Sequence, residues 1–124
     1  DENQQMLERL HELLHRLVDE IAHMSGCVSD IQQIDRGQPW RMDESFQTAF
    51  AAAAEANSEG ASMRMPSGAG HDAQILARRL PSGMLFVPSI GGISHHWTEN
   101  TEDADIVLGC QVLADAAAAI LRAA

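Results

Sequence analysis

The chain has 124 residues, of which 45% are hydrophobic, and its formal net charge is −10 with eight arginines and no lysine. This length corresponds to one domain or to pieces of two. The acidic charge argues against nucleic acid and anionic membrane surfaces as partners, because contacts to phosphates need Lys or Arg.

The cysteines and the apolar runs place further bounds on the protein. Cys27 and Cys110 form no CxxC pair, which argues against a zinc or redox motif. We expect two buried thiols in a reducing compartment, and one disulfide between them is the alternative. We find no secretory signal and no apolar run of membrane-spanning length. These features predict a cytoplasmic protein without a membrane partner.

The first segment, residues 1–23, predicts an amphipathic helix. Its apolar residues recur at three- and four-residue steps: Leu7, Leu10, Leu14, Leu17 and Ile21. A stripe of this size needs a surface to cover, so we expect it to pack against another element or another chain.

A strand and a chain break are predicted next. CVSDIQQID at 27–35 predicts a strand, because its aliphatic residues alternate, imperfectly, with polar ones. In RGQPW at 36–40, Pro39 biases Gln38 away from helical geometry. The stretch from this breaker to Asp43 is the best candidate for a domain boundary.

The second half predicts alternating helices and strands. Asp43 is the predicted N-cap of a helix through Asn57. Residues 61–65 predict a short strand, 71–80 a short helix and GMLFVPS at 83–89 a buried central strand. A last helix begins near Thr101, and its predicted buried stripe is Ile106, Cys110, Leu113, Ala117 and Ile120. This order is typical of a parallel α/β layer.

Two glycine-rich loops follow predicted strands, SGAGHDAQ at 67–74 and GGISHHWTEN at 91–100. Ligand crevices form at the carboxyl ends of parallel strands, so His71 and His95 could share a pocket. A histidine in a loop is usually an exposed or hydrogen-bonding residue, and the residues alone leave a metal-binding or catalytic role open as the alternative. If the backbone after Ile93 is extended, the side chains of His95 and His96 diverge and only one faces the pocket.

The segments PSGAGHDAQ at 66–74 and MLFVPSIGGISHHWTENT at 84–101 closely resemble the end of the dinuclear-metal amidohydrolases. This family contains N-carbamoyl-L-amino-acid hydrolases, β-ureidopropionases and allantoate amidohydrolases. The resemblance covers essentially the whole chain and is specific over residues 66–101. It implies that residues 1–36 are a helix–strand end of an inserted α+β lid and dimerisation domain. Residues 37–124 would be the C-terminal part of an α/β catalytic domain, a partial parallel sheet with flanking helices.

The resemblance also implies roles for single residues. The metal-binding histidine of the family's GISH motif falls on His95. Glu99 keeps the family's glutamate although the proline before it is missing, and it is either an acceptor for the His95 ring or a surface carboxylate. The residues that match loops lining the active site or binding substrate are His71, Asp72, Gly92 and Ser94. Asp72 fits the N-terminus of a helix equally well. The general base and the other metal ligands are expected upstream of Asp1.

The implied activity is hydrolysis of the carbamoyl or ureido C–N bond of N-carbamoyl amino acids or allantoate-like small molecules by a homodimeric enzyme. Two divalent ions (zinc, manganese or nickel) would lower the pKa of a bridging water and polarise the carbonyl. A peptidase or deacylase of the wider superfamily is the alternative. For the chain on its own, a non-catalytic association module is a further alternative. One histidine cannot hold a catalytic metal that takes three or more protein ligands, so we expect the fragment to be inactive and to bind no catalytic metal.

Overall fold

A computed structural model describes residues 3–34 and 37–123. In these ranges the elements are α1 (Gln4–Ser25), α2 (Glu44–Asn57), α3 (Asp72–Leu76), a 3-10 turn (Ile90–Gly92) and α4 (Asp103–Ala123). They belong to two compact units, Asp1–Trp40 with Pro66–Gly70 and Arg41–Met65 with His71–Ala124. The domain boundary predicted between residues 36 and 37 falls beside residues 35 and 36, which lie outside the described ranges, and it stays a prediction.

Helix α1 confirms the helix predicted at the start of the chain, and both of its ends follow from local chemistry. The Asn3 side chain accepts hydrogen bonds from the backbone N–H groups of Gln5 and Met6, at 3.0 and 3.2 Å, and so caps the first turn. The helix ends at Ser25 and is followed by Gly26, whose φ of 69° is a left-handed conformation that glycine adopts without a steric penalty.

The apolar stripe of α1 is less covered than its pattern suggests. No residue of α1 is buried, and Leu10, Leu14 and Ile21 are 50%, 51% and 62% exposed. The half-buried positions form a neighbouring stripe instead: Gln4, Leu7, His11, His15, Val18 and Ala22. The sequence pattern identifies which side of a helix is apolar, whereas its burial depends on a partner surface.

The second unit is built on the packing of α2 against α4. Its buried core is made of small residues, Ala53 and Ala54 of α2 with Val112 and Ala116 of α4. Small side chains let the two helix axes approach closely. Leu85, from the loop between the helices, packs against this core.

The buried side of α4 differs from the predicted stripe. Ile106 and Leu113 are 45% and 51% exposed and Cys110 is exposed, while Val112 and Ala116 are buried. The prediction was wrong because α4 is apolar around most of its circumference, so hydropathy alone does not select the side that meets α2. Part of the predicted stripe, Leu113, Ala117 and Ile120, lines an open apolar groove with Phe46 and Phe50 of α2.

None of the predicted strands is present in the described residues, so the expected parallel sheet is not confirmed. Residues 83–87 nevertheless alternate as a strand does. Leu85 packs on the α2–α4 core and Val87 lies against Gly109 of α4, whereas Phe86 meets the ring of His71. A strand is defined by backbone hydrogen bonds to a neighbouring strand, which the described residues do not supply.

Gly109 sets the distance between α4 and Val87. A Cβ atom built at position 109 would lie 2.5 Å from Val87 Cγ1, and valine is rotationally stiff. Alanine there gains about 1 kcal/mol in helix propensity but overpacks the contact at a cost of about 1–3 kcal/mol. We expect Gly109→Ala to lower the free energy of unfolding in urea denaturation.

The Val87→Ala background provides the matched control for this substitution. With the valine methyl groups removed, Gly109→Ala should become stabilising, because only the propensity gain remains. If Gly109→Ala is stabilising in both backgrounds, the close contact with Val87 is absent.

Two carboxylates stabilise the second unit from its surface. The Ser45 hydroxyl and the backbone N–H of Phe46 donate to Asp43, the predicted and confirmed N-cap of α2, and lower the pKa of its carboxyl group. The Asn57 side-chain amide, at 2.9 Å, and then Gln111 donate to Asp115 and lower its pKa. The Asn57–Asp115 bond joins α2 to α4.

These pKa shifts predict the response of the unit to acid. A carboxyl group whose folded pKa is depressed contributes stability above its unfolded pKa of about 3.9, and the contribution is lost as the pH falls through the lower folded value. Stability should therefore fall below about pH 4. Asp43→Asn keeps a capping oxygen but lacks the charge, so its thermal midpoint should lie below that of the wild type at pH 7 and decline less between pH 4 and pH 2. Parallel declines would contradict a role for the Asp43 charge.

The cysteines are free, as expected, but both are exposed rather than buried. Cys27 follows the end of α1, and Cys110 lies on the side of α4 away from Val112 and Ala116. Cys110 does not face the α2–α4 core and Cys27 lies among exposed residues, so the prediction that both thiols are buried was wrong.

Helix α4 is long and apolar enough to be a candidate membrane-spanning helix, although we expected no segment of that kind. It has 21 residues and a mean hydropathy of 1.7, enough to cross a membrane by those measures alone. A packed helix passes the same test, and Val112 and Ala116 are buried against α2. Asp115 is held as a charged group near the middle of α4, where a bilayer would penalise it. One side of α4 is thus packed against α2, while much of its remaining apolar surface is exposed.

Candidate functional site

The loop over residues 90–100 is closed by its own hydrogen bonds. The Ile90 N–H donates to the Asn100 carbonyl at 2.8 Å, which joins the two ends of the loop. Gly91 and Gly92 form the turn between them with φ of 66° and 69°, values that favour glycine. The predicted site residues Gly92, Ser94, His95 and Glu99 are thereby brought together in one exposed loop.

His95 has an unusual backbone conformation within this loop. Its φ of 55° makes it the one non-glycine residue with positive φ in the described ranges. Such a conformation costs about 1–3 kcal/mol for a residue with a side chain. Glu99 Oε2 accepts a hydrogen bond from the His95 N–H at 2.7 Å, and this bond to a charged acceptor offsets part of the cost.

The Glu99 contact differs from the one suggested by the sequence. Glu99 bonds the backbone of His95, not its ring. The carboxylate therefore fixes the direction in which the His95 side chain leaves the loop, and the imidazole takes no part in closing it. A strained backbone that is held by a charge-assisted bond is typical of residues positioned for binding.

His96 is tied into the turn that follows. The Thr98 N–H donates to His96 Nδ1 at 3.3 Å, and Thr98 Oγ1 lies 2.8 Å from the same nitrogen. Because a backbone N–H can only donate, Nδ1 acts as an acceptor and the proton of the neutral ring is on Nε2. The ring also lies beside Trp97, with the centroids 5.6 Å apart.

The expectation that an extended backbone makes the side chains of His95 and His96 diverge was wrong. The backbone at His95 is left-handed rather than extended. The two residues differ in the hydrogen bonds that they make within the loop. The His96 ring accepts a bond from the Thr98 N–H, whereas His95 donates a bond to Glu99 through its backbone N–H.

His71 and Asp72 lie at the start of α3. His71 is the N-cap residue by position, without a side-chain cap bond, and its half-buried ring meets Phe86 with centroids 5.5 Å apart. Asp72 is exposed in the first turn, as its alternative role as a helix N-terminal residue requires. Helix α3 is shorter than predicted and ends at Leu76, since the backbone continues to Leu80 in tight turns.

The described residues do not hold a complete metal site. Within residues 3–34 and 37–123, no group of three or more His, Cys, Asp or Glu side chains converges. Sequence reasoning also missed Thr98 and Asn100, which shape the loop. Thr98 carries a local signal, a hydroxyl two residues after a polar side chain. The Ile90–Asn100 bond leaves no pattern in the sequence.

Comparison with known proteins identifies the family. Residues 8–119 match Peptidase family M20/M25/M40. The chain belongs to this family. This match, together with the relatives described next, confirms the resemblance inferred from the loops at 67–74 and 91–100.

Several relatives of this M20-family chain carry amidohydrolase names. It is 38% identical over 114 residues to the allantoate amidohydrolase of Bacillus subtilis (strain 168), and the matched region covers 92% of the chain and 27% of the relative. It is 32% identical over 109 residues to the N-carbamoyl-L-amino-acid amidohydrolase of Paenarthrobacter aurescens, which covers 86% of the chain and 26% of that protein.

A solved structure shares the fold of the M20-family chain. The crystal structure of an amidase of the hydantoinase/carbamoylase family from Burkholderia phymatum superposes with a TM-score of 0.84 at 41% identity, over 99% of the chain and 29% of that structure. The chain thus spans 26–29% of the length of these three proteins.

Proposed function

We propose that the chain is the C-terminal part of a metal-dependent amidohydrolase that cleaves the carbamoyl or ureido C–N bond of N-carbamoyl amino acids or allantoate-like substrates. The observation that carries this proposal is the similarity to named allantoate and N-carbamoyl-L-amino-acid amidohydrolases along most of the chain.

The donor chemistry of the 90–100 loop fits one contribution to a divalent metal site. His95 supplies an exposed imidazole on a backbone that Glu99 holds, and imidazole suits zinc, nickel and related ions. The remaining ligands and the general base would come from another part of the complete enzyme. The metal, when bound, lowers the pKa of a water and polarises the scissile carbonyl.

The other residues of the site have supporting roles in this proposal. Glu99 sets the direction of the His95 side chain. The substrate pocket is lined by His71, Asp72, Gly92 and Ser94. Glycine in this lining lets backbone N–H groups approach a small polar molecule closely. We further propose that the enzyme is a homodimer, which the exposed leucine side of α1 supports. We also propose that it is cytoplasmic and has no nucleic-acid or membrane partner, in keeping with its acidic charge.

Substrate assays on the complete enzyme test the proposal. We expect ammonia release from N-carbamoyl amino acids or allantoate, and no release of free amine from N-acylated amino acids. The alternative is a peptidase or deacylase, and the observation in its favour is the name of the matched family. Amine release without ammonia release would establish that alternative.

The 124-residue chain serves as the control polypeptide. Because its described residues bring no three metal ligands together, we expect no turnover of either substrate class. Turnover by this chain alone would show that its own residues complete the site.

A further inference from the structure

Helix α1 carries a metal-binding sequence pattern outside the histidine loops. Residues 11–15 read HELLH, which matches H-E-x-x-H. On a helix this spacing places two histidines one turn apart on the same side, where they can bind one zinc ion. Nothing in the proposed amidohydrolase function uses these residues.

The structure brings the two imidazoles of this pattern together. His11 and His15 both lie within α1, and their ring centroids are 4.5 Å apart in an edge-to-face arrangement. Tetrahedral zinc with nitrogen ligands at 2.0–2.1 Å places two ligand nitrogens roughly 3.3 Å apart. Rings at the observed separation reach that distance by side-chain rotation, without a change in the helix.

The surroundings of the pair favour binding over catalysis. His11 and His15 are half-buried in the middle of the more covered stripe of α1, so both rings are partly covered yet open to solvent. A zinc peptidase of this motif needs a third protein ligand, and within the described ranges no third His, Cys, Asp or Glu converges on the pair.

We propose that His11 and His15 form a second, non-catalytic metal site, a two-histidine clip on α1 that takes Zn²⁺ or a similar imidazole-binding ion with waters in the remaining positions. Hard cations such as Mg²⁺ are excluded by the donor type, because they prefer oxygen ligands. The ion joins two consecutive turns of α1, so its binding stabilises the helical form by mass action.

Histidine-ring NMR of the unmodified 124-residue protein tests the site without any substitution. Addition of ZnCl₂ at pH 7.5 should move the ring signals of His11 and His15 together, and MgCl₂ should leave them in place. His23 lies on the same helix outside the pair and is the internal control. Zinc-dependent shifts at His23 or His95 without shifts at His11 and His15 would overturn the proposal.

Calorimetric zinc titrations of variants supply the second test. They use the His95→Ala background, so that the loop histidine of the proposed catalytic site cannot contribute. His11→Gln and His15→Gln should each weaken zinc binding at least about tenfold, which corresponds to 1.4 kcal/mol, whereas His23→Gln should not change it. Circular dichroism on the same samples verifies that each variant keeps its helix content. Equal zinc affinity in all variants would contradict a two-histidine clip.

Discussion

Replacement of His95 by alanine is expected to lower kcat/KM of the complete enzyme by at least about 100-fold and to reduce its metal content. The imidazole is the group that we propose as a direct metal ligand. Its loss removes both a bond to the ion and the geometry of the bound water. Steady-state kinetics on an N-carbamoyl amino acid, with metal analysis of the purified protein, measures both effects.

His96→Asn is the matched control for this prediction. In the structure the His96 ring accepts a hydrogen bond from the Thr98 N–H, and an asparagine side-chain oxygen can accept the same bond in an Asx turn. Activity should change by less than about threefold. A loss at position 96 that equals the loss at position 95 would mean that the wrong histidine has been assigned.

Glu99→Ala is expected to lower activity by about 10–100-fold, the range typical of residues that orient a metal ligand. The substitution removes the bond of 2.7 Å that holds the His95 backbone at a φ of 55°. The imidazole would then sample other directions, so kcat and metal affinity should fall while KM changes little.

Two further variants separate positioning from general damage. Glu99→Gln keeps an oxygen acceptor without the charge and should recover part of the lost activity and metal affinity. Glu59→Ala removes an exposed carboxylate elsewhere in the same unit and should have no effect. If Glu99→Ala lowers only thermal stability and leaves metal affinity unchanged, Glu99 has a structural role alone.

Local signals in the sequence were sufficient to predict α1 and α2. Asp43 as a cap predicted the start of α2, and the apolar periodicity predicted α1. The buried side of α4 was not predictable from hydropathy, because alanine and aliphatic residues occur around most of the helix. Which of them is buried depends on the position of Ala53 and Ala54 on α2.

The strands were predicted from residue types that pair well, but a strand also requires a neighbour. Residues 83–87 keep the alternation of a strand through Leu85, Phe86 and Val87, without strand partners among the described residues. We propose that these partners belong to the part of the enzyme that the chain does not include. This would reconcile the strand-like sequence with the helical structure.

The site itself was predicted mainly through the resemblance of its loops. Residue spacing alone does not show which of His95 and His96 faces the pocket. The assumption of extended backbone, on which the sequence argument depended, was wrong. The Glu99–His95 bond and the Thr98–His96 bond that distinguish them depend on the path of the loop. That path is set by two glycines with positive φ and by the Ile90–Asn100 bond, and only the glycines are visible in the sequence.

A crystal structure of the complete enzyme, with its divalent metal ions located by anomalous scattering, tests the assignment of His95 most directly. We expect an ion bound by an imidazole nitrogen of His95, at about 2.0–2.1 Å if the ion is zinc, with Glu99 still bonded to the His95 backbone. A metal ion bound by His96 instead, or the absence of any metal ion at the 90–100 loop in an active enzyme, would contradict the assignment.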